Sequence, residues 1–154
     1  MSKNKNFNRL VIFVIAIFIC HRIFFAFYVV RGNSMEPALY NGDVIFVINH
    51  NSILYETINK NDVVLIEEIL IRKKILIKRV NKIINKTKLE NDSFTKNSQS
   101  KNLYYILGDN VSCSIDSRYF GPVPEENIIG KAVLVFLCYH NGKFRWDRFF
   151  KRIE

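Results

Sequence analysis

Residues 10–20 form an unbroken run of apolar side chains, from Leu10 to Cys20, and Lys3, Lys5 and Arg9 stand just before it. Such a run is read as a membrane span or as a removable leader. At ~1.5 Å per helical residue it reaches only about half of a ~30 Å hydrocarbon core, whereas residues 10–30 as one helix would reach across. That longer helix holds Arg22 inside, which costs roughly 2.5–3.5 kcal/mol at the centre of a span and much less near an end. The sequence therefore predicts a span over residues 7–22, ending where Arg22 can reach the headgroups. Residues 23–30 are rich in aromatic and β-branched side chains and are expected as a strand of the domain that follows. A leader would need a small-x-small cleavage site after Cys20, and the residues there are bulky. With the cations ahead of the span, the positive-inside rule keeps the N-terminus in the cytoplasm and places residues 23–154 outside.

Beyond the span, short β-branched segments alternate with polar turns. Segments 44–48, 63–70, 74–80, 103–107 and 131–139 are expected as strands, and the turns fall at Asn41-Gly42-Asp43, Asn61-Asp62, Gly108-Asp109-Asn110 and Asn141-Gly142. The expected fold is mostly β, an all-β domain behind one N-terminal transmembrane helix. It divides into a short tail and anchor at 1–22 and an exported domain at 23–154. Residues 81–102, rich in Lys, Asn, Ser and Thr, are expected as a flexible excursion from the sheet.

Composition narrows the chemistry. The 154 residues carry 23 Lys+Arg against 14 Asp+Glu, a net +9. Heavy use of Lys, Asn and Ile accounts for part of that balance, so no nucleic-acid partner is expected. Three cysteines without metal-ligand spacing predict neither a metal nor another cofactor. Cys113 and Cys138 are available to pair in an oxidising compartment. His21, His50 and His140 are isolated in sequence. The aromatic and basic tail at 143–152 suits an anionic lipid surface.

Three places carry candidate chemistry, each with a plainer explanation. Ser34 lies in Gly32-Asn33-Ser34-Met35-Glu36-Pro37, which could be only a turn. Lys78 alternates onto one face with Leu76 and Val80, as a protective edge-strand lysine would. The stretch 108–118 is dense in small polar residues. Together they fit one reaction, because a serine hydroxyl needs a base and a desolvated lysine can be that base.

These residues resemble a family. Gly-Asn-Ser-Met-x-Pro-x-Leu at 32–39, Lys-Arg-Val at 78–80 and Gly-Asp-Asn-x3-Ser-x-Asp-Ser-Arg-x-x-Gly-x-Val at 108–123 are similar to type I signal peptidases, a family that includes the mitochondrial inner-membrane peptidases. The resemblance implies an all-β catalytic domain seated on the outer membrane surface that cleaves preproteins after a small-x-small segment. It implies Ser34 as nucleophile, Lys78 as general base, Ser114 as the hydroxyl that orients Lys78, and Asp116 with Arg118 as a supporting ion pair. Gly108, Asp109 and Asn110 would shape the loop. The substrate would add as a strand between Val29, Val30, Arg31, Gly32, Asn33 and Met35 on one side and Ile75, Leu76 and Ile77 on the other.

The chain departs from the family pattern at Gly32, where some members carry a hydroxyl donor to the oxyanion. This leaves the Ser34 N–H as the plain donor and Gly32 as an open position. It also departs at Val111 and across 81–85. The implied partners are signal-peptide-bearing preproteins and the bilayer. The implied location is a plasma (inner) membrane, single-pass, or else the mitochondrial inner membrane. Alternative readings are a maturation peptidase for one conjugation, secretion or mitochondrial substrate, and a non-catalytic paralogue that binds peptides.

Overall fold

The chain begins as one helix, α1 (Lys3–Phe24), and becomes strand where a ladder partner begins. β1 (Phe25–Val29) pairs antiparallel with β2 (Val44–Asn49), Phe25 opposite Ile48 and Val29 opposite Val44. The strand expected over 23–30 thus yields Ile23 and Phe24 to the helix, because aromatic and β-branched residues favour strand only where a neighbouring strand receives them. A computed structural model describes residues 3–67, 74–85, 102–140 and 143–153, with the side chains at 3–5, 16–23 and 140 outside the description. Among the described residues no helix is long and apolar enough to cross a membrane.

The remaining strands are β3 (Val63–Glu67), β4 (Ile75–Asn85), β5 (Asn102–Leu107), β6 (Val123–Pro124), β7 (Ile128–Leu137), β8 (Tyr139–His140), β9 (Lys143–Phe144) and β10 (Lys151–Arg152). Among the described residues an antiparallel sheet runs β1-β2-β7-β3-β4-β5-β6, with β10 also on β7, and β8 pairs β9 separately. Alternation along each central strand feeds two cores. Val63 and Leu65 join Val30, Met35, Leu39, Ile45, Val47 and Val135, while Val64 and Ile66 join Val80, Tyr104, Ile106 and Ile128. Each such side chain, fully buried, stabilises the fold by about 1.5–3 kcal/mol.

Of the excursion expected at 81–102, residues 81–85 instead lengthen β4 and Asn102 opens β5; Ile83, Ile84 and Asn85 find partners in Tyr104, Leu103 and Asn102. Residues 86–101 lie outside the described residues. A one-turn helix, α2 (Ser117–Phe120), was not anticipated from periodicity, since it is specified by its cap: the Asp116 carboxylate accepts the Arg118 N–H. Aromatic rings link β1 to the C-terminal segment. Phe25 meets Phe46 at 5.0 Å, Phe27 meets Phe46 at 5.4 Å and Phe136 at 4.8 Å, and Phe136 meets Phe150 at 5.3 Å.

Candidate active site

Ser34 sits in the connection from β1 to β2, and the ends of that connection are fastened together. Val30 N–H donates to the Asp43 carbonyl at 2.8 Å, Gly42 N–H to the Val30 carbonyl at 2.9 Å, and Gly32 N–H to Asn41 Oδ1 at 3.0 Å. Gly32 has φ +85°, which a side chain would strain, so a serine at this position would carry a backbone cost as well as its hydroxyl. Inside the loop Met35 and Leu39 are buried and carry it into the first core.

Lys78 comes from β4, opposite Val64 of β3. It is only 3% exposed, which excludes the protective edge lysine. Its Nζ lies 2.9 Å from Ser34 Oγ. Burial holds the amine below the usual lysine range. The Asp116 carboxylate opposes this shift, Lys74 and Arg118 add to it, and Asp109 opposes it. Burial thus favours the uncharged amine beside the Ser34 hydroxyl.

The third segment closes the site from behind. Asn110 N–H donates to the Ser34 carbonyl at 3.0 Å. Gly108 lies where no side chain fits: a Cβ there would overlap the Ser114 side chain and stand 2.6 Å from the Ser34 carbonyl oxygen. Ser114 is buried, and among the described residues its Oγ has no partner in hydrogen-bonding geometry, Lys78 included. Asp116 is fully buried and accepts from Gly108 N–H at 2.9 Å, Arg118 Nε at 2.8 Å and Arg118 Nη2 at 2.8 Å. Burial alone would raise that carboxyl, but the Arg118 guanidinium, the Gly108 N–H and the nearby Ser114 hydroxyl hold it far below the ordinary carboxylate range. Gly108→Ala is therefore expected to destabilise the chain by about 1–3 kcal/mol, the usual result of inserting a methyl into filled space. A denaturant midpoint equal to that of the parent would contradict this packing.

Among the strand-forming candidates, Val29 and Ile75 are exposed and Leu76 and Ile77 are partly covered. Arg31 and Asn33 are also exposed. Val30 and Met35, at 2% and 1% exposed, pack their side chains into the first core. β5 pairs with β4 from Arg79 onward, so among the described residues Ile75 to Ile77 have a ladder partner only in β3.

Several residues of the site escaped the sequence reading. Arg79 holds Asp109 through two hydrogen bonds, at 2.8 and 2.7 Å, and also donates to the Asn61 carbonyl at 2.8 Å. Its position next to Lys78, on the opposite strand face, was the available signal. Ser117 Oγ accepts the Ile106 N–H at 2.9 Å. The His50 ring packs edge-on against Tyr55. Cys113 and Cys138 are free, one exposed and one buried.

The described residues thus make an antiparallel β domain with a serine hydroxyl in contact with a buried lysine amine. The family model for signal peptidase, peptidase S26, matches residues 4–83 and 81–137, and the chain belongs to that family. It is 46% identical over 46 residues to a signal peptidase I of Buchnera aphidicola from Schizaphis graminum, a stretch covering 30% of this chain and 15% of that protein. It is 36% identical over 118 residues to the mitochondrial ATP-independent inner membrane protease subunit 1a of Arabidopsis thaliana, covering 68% of this chain and 66% of that one. With signal peptidase I V of Bacillus subtilis it shares 31% identity over 138 residues, 67% of this chain and 80% of the relative.

Proposed function

We propose that this chain is a membrane-anchored serine endopeptidase that removes signal peptides from exported preproteins, cutting after a small-x-small segment. The 2.9 Å contact between Lys78 Nζ and Ser34 Oγ, made by a lysine removed from water, carries this reading. In the reaction the neutral Lys78 amine takes the Ser34 proton as Oγ attacks the scissile carbonyl carbon. The resulting lysine ammonium returns that proton to the leaving amine. Water, deprotonated by the same amine, then releases the acyl chain from Ser34. Asp116, Arg118 and Gly108 keep the loop behind Ser34 in place, with the Ser114 side chain packed against Gly108. The negative oxygen of the intermediate meets the Ser34 N–H.

The substrate adds as a strand between residues 29–33 and the open side of Ile75 to Ile77, where small side chains at alternate positions enter shallow pockets. The anchor is α1, whose Leu10, Ile12, Phe13 and Val14 are exposed among the described residues. The ring-linked surface of Phe27, Phe136, Phe149 and Phe150, flanked by Lys151 and Arg152, rests on the bilayer. The catalytic domain lies on the outer face of a plasma membrane, with the N-terminus inside.

A second reading, a peptidase for a dedicated client such as a mitochondrial one, draws on the Arabidopsis match over 68% of this chain, which the Bacillus match nearly equals in extent. Both readings face one experiment, with full-length chain in detergent and a preprotein carrying Ala at −1 and −3. Cleavage at that site is expected, falling at least about tenfold when either Ala becomes Phe. Sequencing of the product's new N-terminus checks the position. Cleavage indifferent to those residues would reject the small-x-small rule, and a panel of general preproteins left intact would favour the dedicated client.

A further inference from the structure

The loop that carries Ser34 is held from inside by a residue far away in sequence. Arg148 lies at the end of the turn Trp146–Arg148, which is tied to the end of β7 through Arg145 N–H donating to the Cys138 carbonyl at 2.9 Å. Its Nη2 donates to the Ala38 carbonyl at 2.7 Å and to Asp43 Oδ2 at 3.0 Å. The same Asp43 oxygen accepts the Tyr40 N–H at 3.0 Å, and the Arg148 guanidinium lies 4.7 Å from the centre of the Tyr40 ring. The cluster is buried: Asp43 and Cys138 are fully buried and Arg148 is 7% exposed. Leu39 N–H donates to the Met35 carbonyl at 2.8 Å, so Ala38 lies inside a closed turn that Ser34 immediately precedes.

A buried ion pair is a poor way to gain stability, since apolar residues of the same volume often do as well or better, while removing one partner strands the other charge. What such a pair provides here is geometry. One planar guanidinium reaches a backbone carbonyl, a carboxylate and a ring in the Ser34 loop at once, which a point charge cannot do.

We propose that Arg148 is a positioning residue: through Ala38, Tyr40 and Asp43 it clamps the Ser34 loop onto the C-terminal segment, and so sets the Ser34 hydroxyl at the Lys78 amine. This rests on the reading of Ser34 as nucleophile. A displacement of about 1 Å at a reacting atom lowers a rate on the order of a hundredfold. The effect belongs in kcat, because Arg148 touches none of the residues assigned to the substrate strand.

The test uses the full chain in detergent with the preprotein above and compares Arg148→Ala, Arg148→Lys and Ile128→Ala. The last is a second-core control that lowers the melting temperature without touching the loop. Arg148→Ala should lower kcat about tenfold to a hundredfold with KM within threefold of the parent, and Arg148→Lys should recover part of that rate. Amide hydrogen exchange should quicken across residues 35–43 in Arg148→Ala and stay unchanged in Ile128→Ala. A parental kcat in Arg148→Ala, a loss no larger than that of Ile128→Ala at the same melting temperature, or unchanged exchange at 35–43 would overturn the clamp. If instead Ser34→Ala cleaves like the parent, the nucleophile reading fails and the proposal falls with it. That result is distinct from faster loop exchange with an unaltered rate, which would leave Arg148 a purely structural residue and overturn the positioning role alone.

Discussion

Ser34→Ala is expected to abolish cleavage of a preprotein carrying Ala at −1 and −3 while leaving the domain folded. The hydroxyl is partly buried and contacts Lys78 at 2.9 Å, so its removal deletes one polar contact and no core atom. Loss of the attacking oxygen in a serine protease removes on the order of 10⁶ in rate, since the other groups of the set act only through it. A loss of at least about 10⁴-fold is expected here, because bound substrate retains what placement alone supplies. Ser112→Ala is the matched control, an exposed serine whose hydroxyl donates to Asn110 Oδ1 and lies 3.8 Å from Cys113 Sγ. Cleavage followed by gel shift, with circular dichroism on both variants, makes the measurement. Parental turnover in Ser34→Ala would end the assignment.

The second large effect concerns pH. Burial disfavours the charged form of Lys78, so its proton leaves below the ~10.4 of an exposed lysine. If the neutral amine is the base, kcat/KM should rise with pH and level off once Lys78 has lost its proton, at an apparent pKa below ~10.4. The sign for stability is the same. Between the lowered folded pKa and the ordinary unfolded one, the unfolded chain binds more protons, so stability also rises with pH in that window. Lys78→Arg keeps a positive charge that cannot be removed and should be as inactive as Lys78→Ala. Rate profiles from acid to about pH 10, with folding checked at each pH, compare parent and Lys78→Arg. An active Lys78→Arg chain, or a rise near ~6.5 that disappears on replacing His50, would take Lys78 out of the mechanism.

The strands of this domain were legible because each core-facing position announces itself locally. Val63 to Ile66 alternate into two cores, and Asn41-Gly42 and Asn61-Asp62 turn the chain between strands. The limits of β4 were not legible. Residues 81–85 are polar enough to read as loop, and they become strand only because β5 lies alongside to receive their backbone groups. In the same way α2 depends on one side-chain oxygen of Asp116 and not on any periodic pattern.

The amino-acid sequence by itself determined which chemistry this chain can carry: a serine beside a tight turn, a lysine among aliphatic neighbours, a loop of small polar residues and an apolar run ahead of them. Only the tertiary structure decided that Ser34 and Lys78, 44 positions apart, meet at 2.9 Å, that Lys78 is buried rather than a solvated edge cation, and that Arg148 reaches Asp43 across 105 positions. The physical reason is that alternation and turn propensity are properties of neighbours along the chain. Which strand lies beside which, and so which amine loses its water, is settled by pairings between distant segments that close together as the sheet forms.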